Sequence, residues 1–280
     1  MKDYIHKDYA QCLAANRLNT FDQIWGYQQD WFEAPNNRRG GWSGVGRLEL
    51  PTGNGTLKVF LKLQEDHQRR NLRHPLTGEP TFASEFRSMM YLQKCGVPVP
   101  VPVFFGQRVI DGHTRVILMT EEMVGFKSLD DLTKDLFSSG KASVSVQRQI
   151  LRGVAATVKK LHAVGVVHRS LYPKHLFVCW PVEATPEVAV IDLEKARVNW
   201  VTAVRTIYDL DSLNRRAAYW SRTARMYFFL QYLWCEAFEQ AAKIFVSSDP
   251  QALKAEISRP NPGTYPSLAS PVASTESGLK

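Results

Sequence analysis

The spacing of hydrophobic positions changes several times along this 280-residue chain, and each change marks an element. Residues 1–30 mix polar and apolar positions, with Trp25 and Trp31 close together, and read as a short lead-in packed on the first lobe. Arg47–Leu50 is strand-like and Pro51-Thr52-Gly53-Asn54-Gly55 has hairpin-turn composition. Thr56–Leu63 then alternates with the period of two that a pleated strand imposes. Phe82–Cys95 reads as a helix. The prolines of Gly96-Val97-Pro98-Val99-Pro100-Val101-Pro102 forbid one there and mark a turn towards the apolar strand Thr114–Met119. Ser128 can cap a short helix through Phe137, with Asp130 and Asp131 in its first turn and Ser138-Ser139-Gly140 closing it. The clearest helix is 145–163. Ile150, Leu151, Val154, Ala155, Val158 and Leu161 share one face of it, away from Arg148, Lys159 and Lys160. A loop and the apolar strand Val188–Ile191 follow, the helical pattern restarts near Asp209, and 219–245 is helical. From Arg259 the chain is rich in Pro, Ser and Gly, so 259–280 is expected to be a disordered tail. No internal repeat is present.

Composition sets the limits. A hydrophobic content of 44% is enough for a sizeable core, in one large domain or two lobes. Cys12, Cys95, Cys179 and Cys235 are scattered without a C-x-x-C, which reads as free thiols in a reducing cytosol. The N-terminus has no apolar core of a secretion signal. The most apolar window, Met226–Cys235, is too short to span a bilayer and reads as a core helix. A net charge of +8 and a pI of about 9.3 favour anionic partners: nucleotides, phosphorylated glycans, acidic lipids or nucleic acid.

The chemistry gathers in two neighbouring runs. His168-Arg169-Ser170-Leu171-Tyr172-Pro173-Lys174-His175 has the form of the H-R-D-L-x-x-x-N loop of phosphotransferases, with Ser170 for Asp and His175 for Asn. Val188–Ile191 then delivers Asp192 at the end of an apolar strand, where a carboxylate can hold a nucleotide's metal ion. Glu194, two residues on, falls on the same side of an extended chain and is a second candidate ligand. Imidazole suits Mg²⁺ poorly, so His175 is a weak metal candidate and a better contact for phosphate or loop backbone. His168 is expected to hold the loop by hydrogen bonds. Ser170 cannot act as a base near neutral pH, and general-base help is worth roughly 10²–10⁴-fold where it applies. A slow enzyme and a silent one both fit.

Upstream, Val59-Phe60-Leu61-Lys62 has the form of V-A-I-K. A lysine in a strand is ordinarily a solvated edge residue, but Glu85 on the following helix could make the ion pair such kinases need. Gly41, Gly44 and Gly46 would let backbone N–H groups approach a phosphate, although their spacing is not G-x-G-x-x-G and a turn is the commoner meaning. Thr120-Glu121-Glu122-Met123 would be an interlobe hinge whose backbone at Glu121 and Met123 meets a purine edge. His67–His74 carries Arg69, Arg70 and Arg73, either a solvated charge run or a contact for an anionic acceptor or membrane surface. Lys195–Tyr208 is too short for a peptide-docking activation segment, which points to a small or glycan-like acceptor. Arg222 and Arg225 offer further cations.

Taken in order, Arg39-Gly40-Gly41-Trp42-Ser43-Gly44-Val45, the Lys62 strand, Gly96–Pro100, Thr120–Met123, His168–Val178 and Ile191-Asp192-Leu193-Glu194 resemble the lipopolysaccharide core kinases. This is the bacterial Kdo and heptose kinase (WaaP) family, in particular its InaA-like branch, and the resemblance covers roughly residues 25 to 240. It implies an α+β, protein-kinase-like bilobal fold without a long activation segment. The N-lobe would be 1–123, the helical C-lobe 124–258 and the tail 259–280. It also implies ATP and Mg²⁺ as cofactors and a lipopolysaccharide core sugar, or another anionic glycan, as acceptor. The location would be cytoplasmic, with peripheral contact at the inner membrane. By position, Lys62 would hold phosphates, Glu85 would pair with it and Asp192 would bind metal. Ser170 departs from the heptose kinases, which have Asp there, whereas His175 agrees with their loop. Two readings stay open, an active phosphotransferase and a silent nucleotide-binding pseudokinase with a regulatory or stress-response role. Nucleic-acid binding is not expected, because no recognised module accompanies the charge.

Overall fold

The computed structural model describes residues 2–27, 30–38, 40–53, 55–69, 78–180, 185–199 and 201–246. Arg70, Arg73 and the expected tail lie outside them. The chain divides into two units, residues 1–235 and 236–280, and the first carries the fold discussed below.

The lead-in forms β1 (Tyr4–Ile5), α1 (Ala10–Ala15) and α2 (Phe21–Trp25). It is followed by β2 (Trp31–Arg38), β3 (Gly41–Thr52), β4 (Gly55–Glu65), β5 (Gln68–Arg69), β6 (Glu79–Pro80), α3 (Thr81–Lys94), β7 (Pro102–Ile110) and β8 (His113–Glu121). Six of the strands make one antiparallel sheet in the order β1-β7-β8-β4-β3-β2. Alternation along β4 decides what each side of the sheet meets. Leu57, Val59, Leu61 and Leu63 are buried against Leu13, Leu18, Phe21 and Ile24 of the lead-in. Lys58, Phe60 and Lys62, on the other side, are only partly covered. Buried Gln64 starts α3: it accepts from Phe82 N (2.8 Å) and Thr81 Oγ1 (3.0 Å) and donates to the His67 carbonyl (2.9 Å). The helix thereby gains an acceptor for its first N–H groups. Asp111-Gly112, both at positive φ, turns β7 into β8.

The second half is mainly helical: β9 (Lys127–Ser128), α4 (Leu129–Thr133), α5 (Val144–Ala163), β10 (Val166–Val167), β11 (Leu176–Cys179), β12 (Glu187–Val190), β13 (Arg197–Val198), α6 (Thr202–Arg216) and α7 (Arg222–Val246). Ser128 and Ser143 cap α4 and α5 by accepting from Asp131 N and Val146 N. The apolar face of α5 is fully buried, in a cluster that runs from α3 and the inner sheet face to Phe228 and Tyr232 of α7. After α4 the chain widens into a π-type turn, Lys134–Ser138, so the expected helix through Phe137 is α-helical only to Thr133.

Three further expectations are corrected. The glycine-rich stretch is mostly strand: Gly41–Gly46 lies within β3, and Gly40, at φ +83°, sits in the turn before it. A Cβ on Gly41 would lie 2.0 Å from the Glu65 carbonyl oxygen and one on Gly44 would enter the Trp31 ring, so glycine here permits close strand packing. Helix α6 starts at Thr202, seven residues before Asp209, because its first two turns bury only Arg205 and show no apolar face inward. Helix α7 is not buried all round. Ala224, Phe228 and Tyr232 are buried, while Met226, Phe229, Leu230, Leu233 and Trp234 are exposed.

Candidate active site

β4 carries Lys62 on the half-covered side of the sheet, and α3 carries Glu85 across from it. Lys62 Nζ lies 2.7 Å from Glu85 Oε1, with the ammonium also 5.7 Å from the Phe82 ring centroid. Burial pushes the Glu85 carboxyl above its ordinary range despite the Lys62 charge, and Asp192 and Glu194 push it the same way. Lys62, Asp192 and Glu194 therefore all lie near enough to Glu85 for their charges to act on it.

Asp192 sits in the left-handed region (φ 57°), where a non-glycine residue is strained, at the end of β12. The chain after it is not extended: Leu193–Lys195 form a 3₁₀ turn, which corrects the alternation argument for Glu194. Asp192 Oδ2 lies 3.1 Å from His175 Nε2, and His175 Nδ1 is 2.7 Å from the Ser170 carbonyl. A carbonyl can only accept, so Nδ1 carries the proton. Burial lowers the His175 pKa and Asp192 opposes that shift. A neutral ring thus turns its Nε2 lone pair on the carboxylate, a contact relieved by a proton or a cation there.

The 168–175 loop is held from beneath by a residue that sequence reasoning missed. Asp209 of α6, 0% exposed, accepts from His168 N (2.7 Å) and Arg169 N (2.9 Å) and contacts His162 Nε2 (3.1 Å). His162 Nδ1 in turn meets the Tyr232 hydroxyl at 2.8 Å. Arg169, bound in this way, adopts φ +66°. His168 is buried: its Nε2 donates to the Ile191 carbonyl (2.9 Å) and its Nδ1 accepts from Ser170 N (3.3 Å), tying the loop to the Asp192 strand. Burial lowers its pKa against the pull of Asp209. Ser170 is only 2% exposed. The signal for Asp209 was its place on the α6 face shared with Ser212 and Leu213, where an acid needs a reason to be buried.

At the hinge, Glu121 N and Glu122 N are taken by the carbonyls of Val101 and Lys58. Met123 N meets no acceptor among the described residues. The Glu121 side chain accepts from the Tyr9 hydroxyl (2.5 Å), a lead-in contact also missed, and Arg47 holds Glu122 through two bonds (2.8 and 3.1 Å). Gly41, Gly44 and Gly46 lie on β3, where Val45 is paired with Lys62. Arg69 is in β5 opposite Glu79. Arg225 is consumed structurally by the carbonyls of Asn214, Ala217 and Trp220.

Asp192 and Glu194 bring carboxylates close to the Lys62–Glu85 pair, and carboxylate oxygen is the donor Mg²⁺ prefers. Among the described residues no three acidic, His or Cys side chains converge as a metal cage.

A strand lysine paired to a helix glutamate, above a loop and an apolar strand ending in Asp, defines a protein-kinase-like fold. A solved structure of WaaP in complex with acyl carrier protein shares it, with a TM-score of 0.62, 22% identity, and 83% of this chain and 89% of that one covered. The model of the lipopolysaccharide kinase (Kdo/WaaP) family matches residues 22–232, and the chain belongs to that family. It is 35% identical over 182 residues to protein InaA of Escherichia coli K12, covering 65% of this chain and 80% of InaA. It is 30% identical over 147 residues to an E. coli lipopolysaccharide core heptose(I) kinase, WaaP, about half of each chain (51% and 52%).

Proposed function

We propose that this protein is an ATP-dependent phosphotransferase acting on a hydroxyl of a lipopolysaccharide inner-core sugar, at the cytoplasmic face of the inner membrane. The observation that carries this reading is the Lys62–Glu85 ion pair at 2.7 Å, with Asp192 close enough to act on the Glu85 carboxyl. Held by Glu85, Lys62 presents a fixed cation to the nucleotide phosphates, while Met123 N–H is left for a purine edge. Asp192, with Glu194 beside it in the following turn, would hold the metal ion, which would supply charge neutralisation on the transferred group. Asp209 and His168 fix the loop so that groups near Arg169 meet the acceptor in one geometry.

Ser170 supplies no base, so catalysis rests on positioning and charge, and turnover is slower than with a carboxylate there. The second reading, a nucleotide-binding protein without turnover, is favoured by one observation: Ser170 is buried in place of that carboxylate. Thermal shift with ATP, with and without Mg²⁺, tests the site. Magnesium-dependent stabilisation is expected in the wild type and should disappear in Lys62→Ala and Asp192→Ala. Phosphate transfer from labelled ATP to lipopolysaccharide fragments then separates the two readings. Binding without any transfer selects the second, and no thermal shift in the wild type sinks both.

A further inference from the structure

Beside the catalytic loop, the outward face of α6 is apolar where it should be polar. Val198, Val201, Val204, Ile207 and Tyr208 are all exposed, Ile207 by 68% and Val201 by 59%. On a helical wheel Val204, Ile207 and Tyr208 form one stripe that adjoins the face of buried Arg205, Asp209, Ser212 and Leu213, and Val201 stands at its N-terminal end. The stripe cannot turn inward, because Asp209 is bonded to the His168 and Arg169 backbone and β13 pairs with β10 at Val166↔Val198. An apolar stripe fixed in water marks a surface that something covers.

We infer that this stripe docks the protein on an anionic lipid bilayer. The charges around it select that occupant. Arg197 is exposed next to Val198, Arg169 lies 6.0 Å from the Tyr208 ring, and Lys174 is exposed in the same loop. Arg216, also exposed, stacks on Tyr172 at 4.2 Å. The exposed acid of α6, Asp211, is paired with Arg215 at 2.7 Å. An apolar stripe with a tyrosine at its edge and a cationic rim is the chemistry of an interfacial helix on acidic headgroups. A second copy of this chain would bring the same cations against themselves. Docking here sets the catalytic-loop mouth against the lipid surface, where an amphipathic acceptor presents its sugars. That link rests on the reading above, whereas the docking itself is measured without turnover.

The test is cosedimentation of the full chain with vesicles of phosphatidylcholine alone or of equimolar phosphatidylcholine and phosphatidylglycerol. Wild type should pellet with the acidic vesicles and stay in solution with the neutral ones. Ile207→Glu and Val204→Glu should lower partitioning by about tenfold or more, and Arg197→Gln by about fivefold. Val109→Glu, which changes an exposed apolar residue on β7, should pellet as wild type does. Each variant's melting temperature and its ATP–Mg²⁺ shift show whether fold and nucleotide site survive, so failure of docking and failure of the kinase reading are told apart. Absence of wild-type binding to acidic vesicles overturns the proposal, as does equal binding by Ile207→Glu. So does light scattering that shows a wild-type dimer broken by Ile207→Glu.

Discussion

Asp209→Asn removes one charge and almost no volume, so its consequences can be worked from three contacts. The carboxylate accepts from the His168 and Arg169 N–H groups at 2.7 and 2.9 Å and meets His162 Nε2 at 3.1 Å, with no exposure to water. An amide can keep one of the two backbone bonds, but its NH₂ group then faces the other N–H. A buried donor left unmet costs about 1–3 kcal/mol, and turning charge-assisted bonds into neutral ones costs about another 1 kcal/mol. A loss near 3 kcal/mol follows, which for a fold of this size lowers the melting temperature by about 6–12 °C. Arg169 would then relax from φ +66°, a strained setting that the two bonds maintain. Circular dichroism melts measure the first effect, and the ATP–Mg²⁺ thermal shift, expected to shrink, measures the second. A melting temperature within about 2 °C of wild type would refute the claim that this carboxylate holds the loop.

Glu85→Gln should leave the fold standing and weaken ATP–Mg²⁺ binding by titration calorimetry, because Lys62 loses the carboxylate that fixes it 2.7 Å away; unchanged affinity would remove the pair from the site. Tyr9→Phe should cost about 1–2 kcal/mol in urea unfolding, since Glu121 loses its 2.5 Å donor while half-buried. Gly41→Ala should destabilise by about 1–3 kcal/mol, as its methyl group would sit 2.0 Å from the Glu65 carbonyl and the hairpin must move. His113 and Asp66 meet at 2.6 Å; the contact raises the His113 pKa from 6.5 and lowers that of Asp66 from 3.8. The pair therefore stabilises the fold between those two values and fades as pH rises through the elevated histidine pKa or falls through the depressed aspartate one. Melting of His113→Asn should differ from wild type near pH 5.5, and the difference should shrink as pH rises above 6.5.

Sequence periodicity located the elements whose two faces differ strongly. β4 and α5 were legible because Leu57–Leu63 and Ile150–Leu161 each repeat at the period of their element, and the structure extends them by only one to two residues at an end. The family was legible from motif order, as the match over residues 22–232 shows. What escaped was chemistry made by distant partners. Asp209 reads as a polar helix residue until α6 is laid under the loop, and Tyr9 lies 112 positions from the Glu121 it binds. The glycine stretch misled for a local reason: glycine supplies positive φ in turns but also permits strands to touch, and composition does not tell these apart. Helix α6 was placed late because its first turns carry their apolar side chains outward, against the rule by which periodicity is read.

Asp192 and Asp209 show how one residue type serves opposite ends on the two sides of a loop. Both are aspartates in contact with a histidine, at 3.1 Å in each case. Asp209 is wholly buried and spends both oxygens on backbone N–H groups and His162, so its hydrogen-bonding capacity is met within the protein. Asp192 keeps a side chain 38% exposed, faces a ring whose proton lies on the far nitrogen, and lies near the Glu85 and Glu194 carboxylates. Among the described residues it accepts no N–H from the backbone. A fold that ties down one aspartate and leaves the other to a single histidine separates holding the loop from the cation binding proposed for Asp192. Only the second task leaves a trace that sequence motifs record.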